Sequence, residues 1–503
     1  MNVRLLYRDH NFIMQETGFG QKALTDDLEM ECILSAMADG DKLIHDVCAN
    51  LLFHPLQTAD EIRYRQNVLA DCIRNPRAVR ELYSITIDTQ KRKSESWSWL
   101  SASQFLSSNF SNAINLLKIY SEMLLKLRNT VGRDTQKFQS EGWTQFSQML
   151  WQELDDNYFS QINALLDELK EDKGILISAG LGNYCQGIRY VMRCKEQRHF
   201  WMNWHFAPSF MIAPRDDAGA SDLGKRCDRA INESTNVLAQ SAEHIENFFT
   251  ILQQELAFYV GCLNLFDKIN GVGMPVSIPE LLPPQSENRR CDNLYDVSLV
   301  LTTNAKAVGN QLCSENKRLY MITGANQGGK STFLRSIGQA QLMMQCGMFV
   351  GAESFQAPIR NGIFTHFKKE EDAAMKSGKL DEELSRMNEI ADHIAPGSLL
   401  LFNESFAATN EREGSEICRQ ITMALIENKI EVFSVTHLYT YAVSYLQEKR
   451  QDILYLAAQR LEDGARTFQI VPGQPLQTAY GEDLYRKIFY HNNETLPEIR
   501  EEK

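Results

Sequence analysis

Apolar positions change their period twice along the chain, and the changes predict its elements. Over residues 43–169 they recur every three or four positions. The pattern is clearest at Ile114, Leu117, Tyr120, Leu124 and Leu127, and again at Phe146, Leu150, Leu154, Tyr158, Ile162, Leu165 and Leu169. This is the stripe of amphipathic helices. Pro55 and Pro76 divide the region, and Thr58-Ala-Asp-Glu61 ahead of Ile62 reads as a capping box, a hydroxyl and a carboxylate satisfying the first free amides of a helix. Residues 1–42 are short and mixed, with room for a small N-terminal element. Between about 174 and 214 the pattern turns to β-type runs at 175–178, 188–192 and 210–212, with a turn at 180–183, a small β-rich insertion. After the polar stretch 215–221 a second helical stripe runs through Leu238, Ala242, Ile245, Phe249, Leu252, Leu256, Tyr259, Leu263 and Phe266. At 1.5 Å per residue it makes a rod of roughly 43 Å, running from the insertion toward the C-terminal region as a lever would.

Residues 271–284, with Gly271, Gly273, Pro275, Pro279, Pro283 and Pro284, are the most punctuated stretch and mark a domain boundary. Beyond it strands and helices alternate. The expected organisation is a short N-terminal segment (1–42), a helical core or lever domain (43–270) carrying the insertion, and an α/β domain (271–503). The fold class is therefore multidomain α and α/β.

The C-terminal region holds the chemistry. A β-type run at 319–323 feeds a loop with Gly324, Gly328 and Gly329, and Lys330-Ser331-Thr332 then open a helical pattern. This is Gly-x-x-x-x-Gly-Lys-Ser in its required strand–loop–helix setting, which argues against a glycine-rich turn that matches by chance. Glycines let backbone amides close on phosphate oxygens, and the helix N-terminus adds partial positive charge. Lys330 pairs with β/γ-phosphates and Ser331 reaches Mg²⁺; the implied ligand is a nucleoside triphosphate.

Hydrolysis also needs a metal partner and a water activator. The apolar run from Ser398 ends in Asn403-Glu404, where P-loop ATPases usually carry Asp-Glu. Glu404 is placed to orient or deprotonate the attacking water. Asn403 is a neutral amide that hydrogen-bonds a metal-bound water without supplying negative charge. Ser331, Asn403 and Glu404 are the candidate metal-facing residues. The run Glu431-Val-Phe-Ser-Val-Thr-His437 ends in a histidine suited to sense the γ-phosphate. A lone histidine is more often structural, but His437 is the third strand-end polar group after Lys330 and Glu404.

Composition narrows the picture. The 503-residue chain has a formal net charge of −13, which counts against nonspecific coating of nucleic acid but leaves room for a local basic surface. Two candidates exist: Lys91-Arg92-Lys93 with Trp97 and Trp99, and Arg189, Arg193, Lys195 and Arg198 with Tyr190, Phe200, Trp201 and Trp204. A solvated helix or strand face is the commoner meaning of both. Eleven cysteines are scattered without Cys-x-x-Cys or metal-ligand spacing, as reduced small hydrophobes are. No apolar run is long enough for a membrane span, and the N-terminus lacks a signal-peptide core, so the expected location is cytoplasmic.

The chain resembles the MutS family of DNA mismatch-repair ATPases. Leu52-Phe-His-Pro55 through Ile62-Arg-Tyr-Arg-Gln66 is similar to the start of that family's helical core, and residues 323–332 resemble its phosphate loop. Ile363-Phe-Thr-His366, Asn403-Glu404 to Gly414, Thr436-His437, Val471-Pro-Gly473 and Tyr480-Gly481 follow in the family's order. The resemblance implies an ABC-type P-loop ATPase domain in a homodimer that binds ATP and Mg²⁺ between its subunits, with helical levers leading to clamps that encircle DNA. It also implies that Asn326 approaches the phosphates.

Three departures stand out. Asn403 replaces the family's aspartate, which implies weaker metal binding or slower turnover. Leu380 holds the place of the trans-acting serine, with Ser377 and Ser385 the nearby hydroxyls. The chain's one Phe-x-Glu, Phe402-Asn403-Glu404, lies in the hydrolysis strand rather than in a mismatch reader. The expected target is therefore a structured or distorted DNA. Another class, a nucleotide-gated protein–protein scaffold with weak ATPase and no DNA binding, also fits the acidic balance. An SMC-type ATPase would need a longer coiled coil.

Overall fold

A computed structural model describes residues 1–98, 106–134, 137–169, 175–193, 210–369, 378–446, 448, 450–461 and 465–475. In chain order the elements begin with helices α1 (Gln21–Asp27), α2 (Met30–Ala38), α3 (Lys42–Phe53), α4 (Ala59–Arg74), α5 (Pro76–Ser98), α6 (Leu106–Asp134), α7 (Glu141–Glu153) and α8 (Asp156–Glu168). A hairpin of β1 (Leu176–Leu181) and β2 (Gly187–Arg193) follows, then α9 (Asp217–Val272). The chain is mixed helical and α/β, and its contacts divide it into two compact units.

One unit comprises Met1–Phe12 and Asp71–Tyr259. The stripe through Ile114, Leu117, Tyr120, Leu124 and Leu127 is buried as the period requires. Between residues 154 and 169 the phase shifts. The Asp155 carboxylate accepts the Tyr158 amide at 2.6 Å and starts a new helix, so Phe159 and Leu166 are buried while Leu165 is exposed. The N-terminal segment is pinned by the buried Glu255 carboxylate, which accepts the amides of Leu5, Leu6 and Phe12 at 2.6, 3.1 and 2.9 Å. The β insertion is an antiparallel pair with a bulge between Ser178 and Gly180. The third run expected there, 210–212, forms no strand: Phe210 and Met211 are exposed and nothing pairs with them among the described residues.

Helix α9 spans 56 residues, roughly 84 Å, about twice the length its stripe foretold. Its stripe is buried from Leu238 to Leu263. Its start lies in the supposed polar connector, where the Asp216 carboxylate accepts the Gly219 amide at 2.8 Å and caps the first turn.

The other unit comprises Ile13–Ala70 and the described residues from Val260 onward. It contains β3 (Glu280–Leu282), β4 (Arg289–Leu294), α10 (Val297–Thr303), β5 (Asn310–Ser314), β6 (Leu319–Gly324), α11 (Lys330–Gln345), β7 (Ser354–Pro358) and β8 (Ile363–Phe367). It continues with α12 (Lys379–His393), β9 (Leu399–Asn403), α13 (Glu411–Glu427), β10 (Glu431–Val435), α14 (Tyr439–Ser444), β11 (Ile453–Arg460) and β12 (Arg466–Pro472). A six-stranded sheet runs β12-β11-β6-β10-β9-β8, parallel except for β12 at its edge. A four-stranded sheet runs β3-β7-β4-β5. Continuous apolar runs such as Leu399 to Phe402 are the signature of strands buried on both faces.

The capping box is present: the Thr58 hydroxyl donates to Glu61 at 2.6 Å and accepts the Glu61 amide at 3.3 Å. The Ile62–Gln66 segment has a structural role in this unit. Arg65, fully buried, donates to Cys346 O at 3.0 Å and so places a cation at the C-terminus of α11.

Candidate functional site

Strand β6 delivers the chain to the glycine loop at the sheet's C-terminal edge. Gly324 has φ +108, and a Cβ there would lie 2.8 Å from Ala458 N on β11; at Gly328 it would lie 2.7 Å from Ala458 Cβ and 2.9 Å from Ala325 O. Gly329, at φ +86, is the N-cap of α11. The loop therefore closes only with glycines at these places, and it opens onto a helix N-terminus, the setting that favours phosphate.

Lys330 is buried and donates to Gly324 O at 3.0 Å and Ala325 O at 2.9 Å. Burial pushes its pKa down to about 8, Glu404 opposing and Arg466 adding to the shift. Ser331, one residue on, donates from its hydroxyl to Asn403 Oδ1 at 2.9 Å, and Thr332 follows in the same turn. Asn326 and Gln327 form the exposed tip of the loop, where Arg466 Nε donates to Asn326 O at 3.1 Å.

The strand order brings the other groups here. β10 lies between β6 and β9, with Val435 paired to Ile322 on one side and Asn403 on the other. His437 thus emerges between the loop and the Asn403-Glu404 pair, the edge at which open parallel sheets bind ligands. His437 Nε2 lies 2.6 Å from Glu404 Oε1. This hydrogen bond, ahead of burial acting the other way, holds the Glu404 carboxyl below its ordinary pKa. The structure therefore joins the sequence-identified residues in two contacts, Ser331 with Asn403 and His437 with Glu404.

The cradle fits a polyphosphate: Cβ-intolerant glycines, a helix N-terminus and a buried ammonium converge. The two neutral oxygens of Ser331 and Asn403 beside a carboxylate fit Mg²⁺ held through substrate oxygens and water, rather than a closed protein cage. Among the described residues no group of three or more His, Cys, Asp or Glu side chains is arranged to hold a metal, and the described cysteines are free thiols.

Other expectations fare differently. Leu380 packs against the hydrophobic core under the sheet, so its side chain is used internally; Ser385 is exposed on α12 and Ser377 lies outside the described residues. In the first basic group, Arg92 pairs with Glu122 at 3.0 Å and Lys93 with Glu246, as a solvated face does; Trp99 lies outside the described residues, and so does the side chain of Trp97. In the second, Arg193 Nε donates to Ser178 Oγ at 2.9 Å, while Lys195, Arg198, Phe200, Trp201 and Trp204 fall outside the described residues, as does Tyr480-Gly481.

Motif spacing missed the β11–β12 hairpin, whose Ala458 and Arg466 reach the loop from well over a hundred residues away. It also gave His366 only a strand position. His366 is fully buried and burial pushes its pKa down to about 4.

Two family models match the chain. One, described as the MutS2 N-terminal domain, covers residues 57–272. The other, MutS domain V, covers residues 320–488 and with them the glycine loop, Glu404 and His437. The chain is similar to the DNA mismatch repair protein MutS of Haloquadratum walsbyi, 33% identical over 132 residues, 26% of this chain and 14% of that protein. Against the MutS of Thermus aquaticus it is 32% identical over 168 residues, 33% of this chain and 20% of that protein. Against the MutS of Streptococcus pneumoniae it is 29% identical over 171 residues, with the same two shares. The matched stretch spans a fifth or less of these relatives.

Proposed function

The chain belongs to the MutS family, and from that premise we propose that it is an ATP-hydrolysing, DNA-binding protein that works as a homodimer in DNA repair or recombination. The observation that carries this reading is the convergence of Lys330, Ser331, Asn403, Glu404 and His437 at one edge of the parallel sheet. In this reading residues 271–503 carry the nucleotide chemistry, and residues 43–270 with the β hairpin contact DNA.

ATP binds with its phosphates on the glycine loop. Lys330 turns from its own loop's carbonyls to the β/γ-phosphates, a transfer eased because those bonds are replaced by charge-assisted ones. Ser331 and Asn403, with Glu404 beside them, would hold Mg²⁺, which would supply charge neutralisation on the phosphates. Glu404 orients the attacking water and accepts its proton. His437 fixes the Glu404 carboxylate and, from the same position, responds to the γ-phosphate. Asn403 contributes no negative charge, so metal binding is weaker and turnover slower than with aspartate there.

The DNA is a structured or distorted one. Fluorescence anisotropy with homoduplex, mismatched and branched DNA, with and without ATP, tests this: preference for a distorted DNA supports it, and equal, negligible binding to all three overturns it. ATP-dependent capture of a protein partner together with that DNA result favours the scaffold reading, which the net charge of −13 motivates. Light scattering with ATP, reading one or two chains per particle, tests the dimer.

A further inference from the structure

We propose that His366 and Ser405 are positioning residues that hold the Glu404 carboxylate in place; the inference rests on the ATPase reading. Strand β9 ends at Asn403, and the chain then turns through two non-glycine residues in the left-handed region, Glu404 at φ 53 and Phe406 at φ 57. Such residues stay there only when their surroundings over-determine them.

Ser405, between them, is the anchored point. It is 4% exposed, and its hydroxyl lies 2.6 Å from His366 O and 2.8 Å from His366 Nδ1. Cys418 Sγ donates to Ser405 O at 3.5 Å, and the Glu404 amide donates to Val435 O at 2.8 Å. The imidazole is itself fixed on every side. Its Nε2–H donates to Glu383 O on α12 at 3.0 Å, and its ring stacks on Phe406 with centroids 5.1 Å apart and meets the edge of Phe402. Held neutral by burial, with its one proton on Nε2, the ring leaves Nδ1 as an acceptor, and the single Ser405 hydroxyl proton is shared between His366 O and Nδ1.

A hydroxyl beside an imidazole also suggests a nucleophilic dyad, but both groups are closed off from solvent. Their polar character serves another end: a buried, satisfied network specifies one backbone arrangement where an apolar pair would permit several. With Ser405 fixed, the direction in which Glu404 leaves the backbone is fixed too, toward His437 2.6 Å away. Through Glu383 the same network ties the hydrolytic carboxylate to α12.

The test uses full-length protein, measuring steady-state kcat and KM for ATP and, separately, equilibrium binding of a fluorescent ATP analogue. Ser405→Ala lowers kcat roughly 10- to 100-fold, the scale of a misplaced catalytic group, while nucleotide affinity and the circular dichroism spectrum stay at the parent's. Ser405→Thr, which keeps the hydroxyl, restores most of kcat. Full kcat in Ser405→Ala, or a parallel loss of kcat and binding that Ser405→Thr does not restore, overturns the positioning role. Glu404→Gln separates the two levels. If it is inactive while Ser405→Ala is fully active, only this inference fails; if the parent lacks turnover, or Glu404→Gln matches it, the ATPase reading fails and takes the inference with it.

Discussion

Replacing Glu431 by glutamine leaves two guanidinium groups in the core without their anion. Glu431 opens β10, the strand set between β6, which leads into the glycine loop, and β9. Its carboxylate, 2% exposed, accepts from Arg289 Nε and Nη2 at 3.3 and 2.9 Å and from Arg360 Nε at 2.9 Å. Arg289 also donates to Gln341 on α11 at 3.0 Å. Removing one partner of a buried ion pair costs about 3–5 kcal/mol. Here two cations share one anion, so Glu431→Gln falls at the upper end of that range and lowers the melting temperature by on the order of 10 °C.

Far-UV circular dichroism reports the loss. A control gives the figure meaning. Glu416→Gln, at an exposed pair with Arg419, changes little. The pH dependence has a definite sign. Burial pushes the Glu431 carboxyl up, but the two arginines outweigh it and hold its pKa below the ordinary value. Its contribution is present above the unfolded pKa near about 4.3 and is lost as pH falls through the lower folded value. The deficit of Glu431→Gln thus shrinks in acid. A deficit no larger than that of Glu416→Gln, or one that grows below pH 4, refutes the reasoning.

Further outcomes follow from the site. Gly324→Ala combines a left-handed φ with a Cβ 2.8 Å from Ala458 N. It costs about 1–3 kcal/mol in backbone strain alone and abolishes binding of a fluorescent ATP analogue; parent-like affinity counts against the cradle. Asn403→Asp adds a negative charge where Ser331 now meets an amide. The Mg²⁺ concentration for half-maximal ATPase falls, and an unchanged titration shows that another acid holds the metal.

Local chemistry carried most of what the sequence disclosed. The glycine loop, the apolar strands and the strand-end residues are contiguous motifs whose order survives folding, and the Thr58–Glu61 cap is satisfied within a single turn. What escaped was set by contacts far apart in sequence. Nothing near Gly324 signals that Ala458 closes its loop, and nothing in Ile363-Phe-Thr-His366 signals that the histidine grips Ser405. The first turn of α9 lies in the polar stretch 215–221, so period alone placed its start too late. Asp155 reset the phase of α8, moving burial from Leu165 to Phe159 and Leu166. The run at 210–212 has β-type residues, but a strand requires a neighbour to pair with, and composition does not supply one.

The central claim is that Glu404 activates water for ATP hydrolysis at the Lys330–Ser331 cradle. Nucleotide binding and single-turnover hydrolysis of radiolabelled ATP, compared among the parent, Glu404→Gln and Lys330→Ala, test it most directly. The account predicts that Glu404→Gln retains bound ATP without converting it to ADP, with a rate at least 100-fold below the parent's, and that Lys330→Ala retains no nucleotide. Hydrolysis by Glu404→Gln at the parent rate contradicts it.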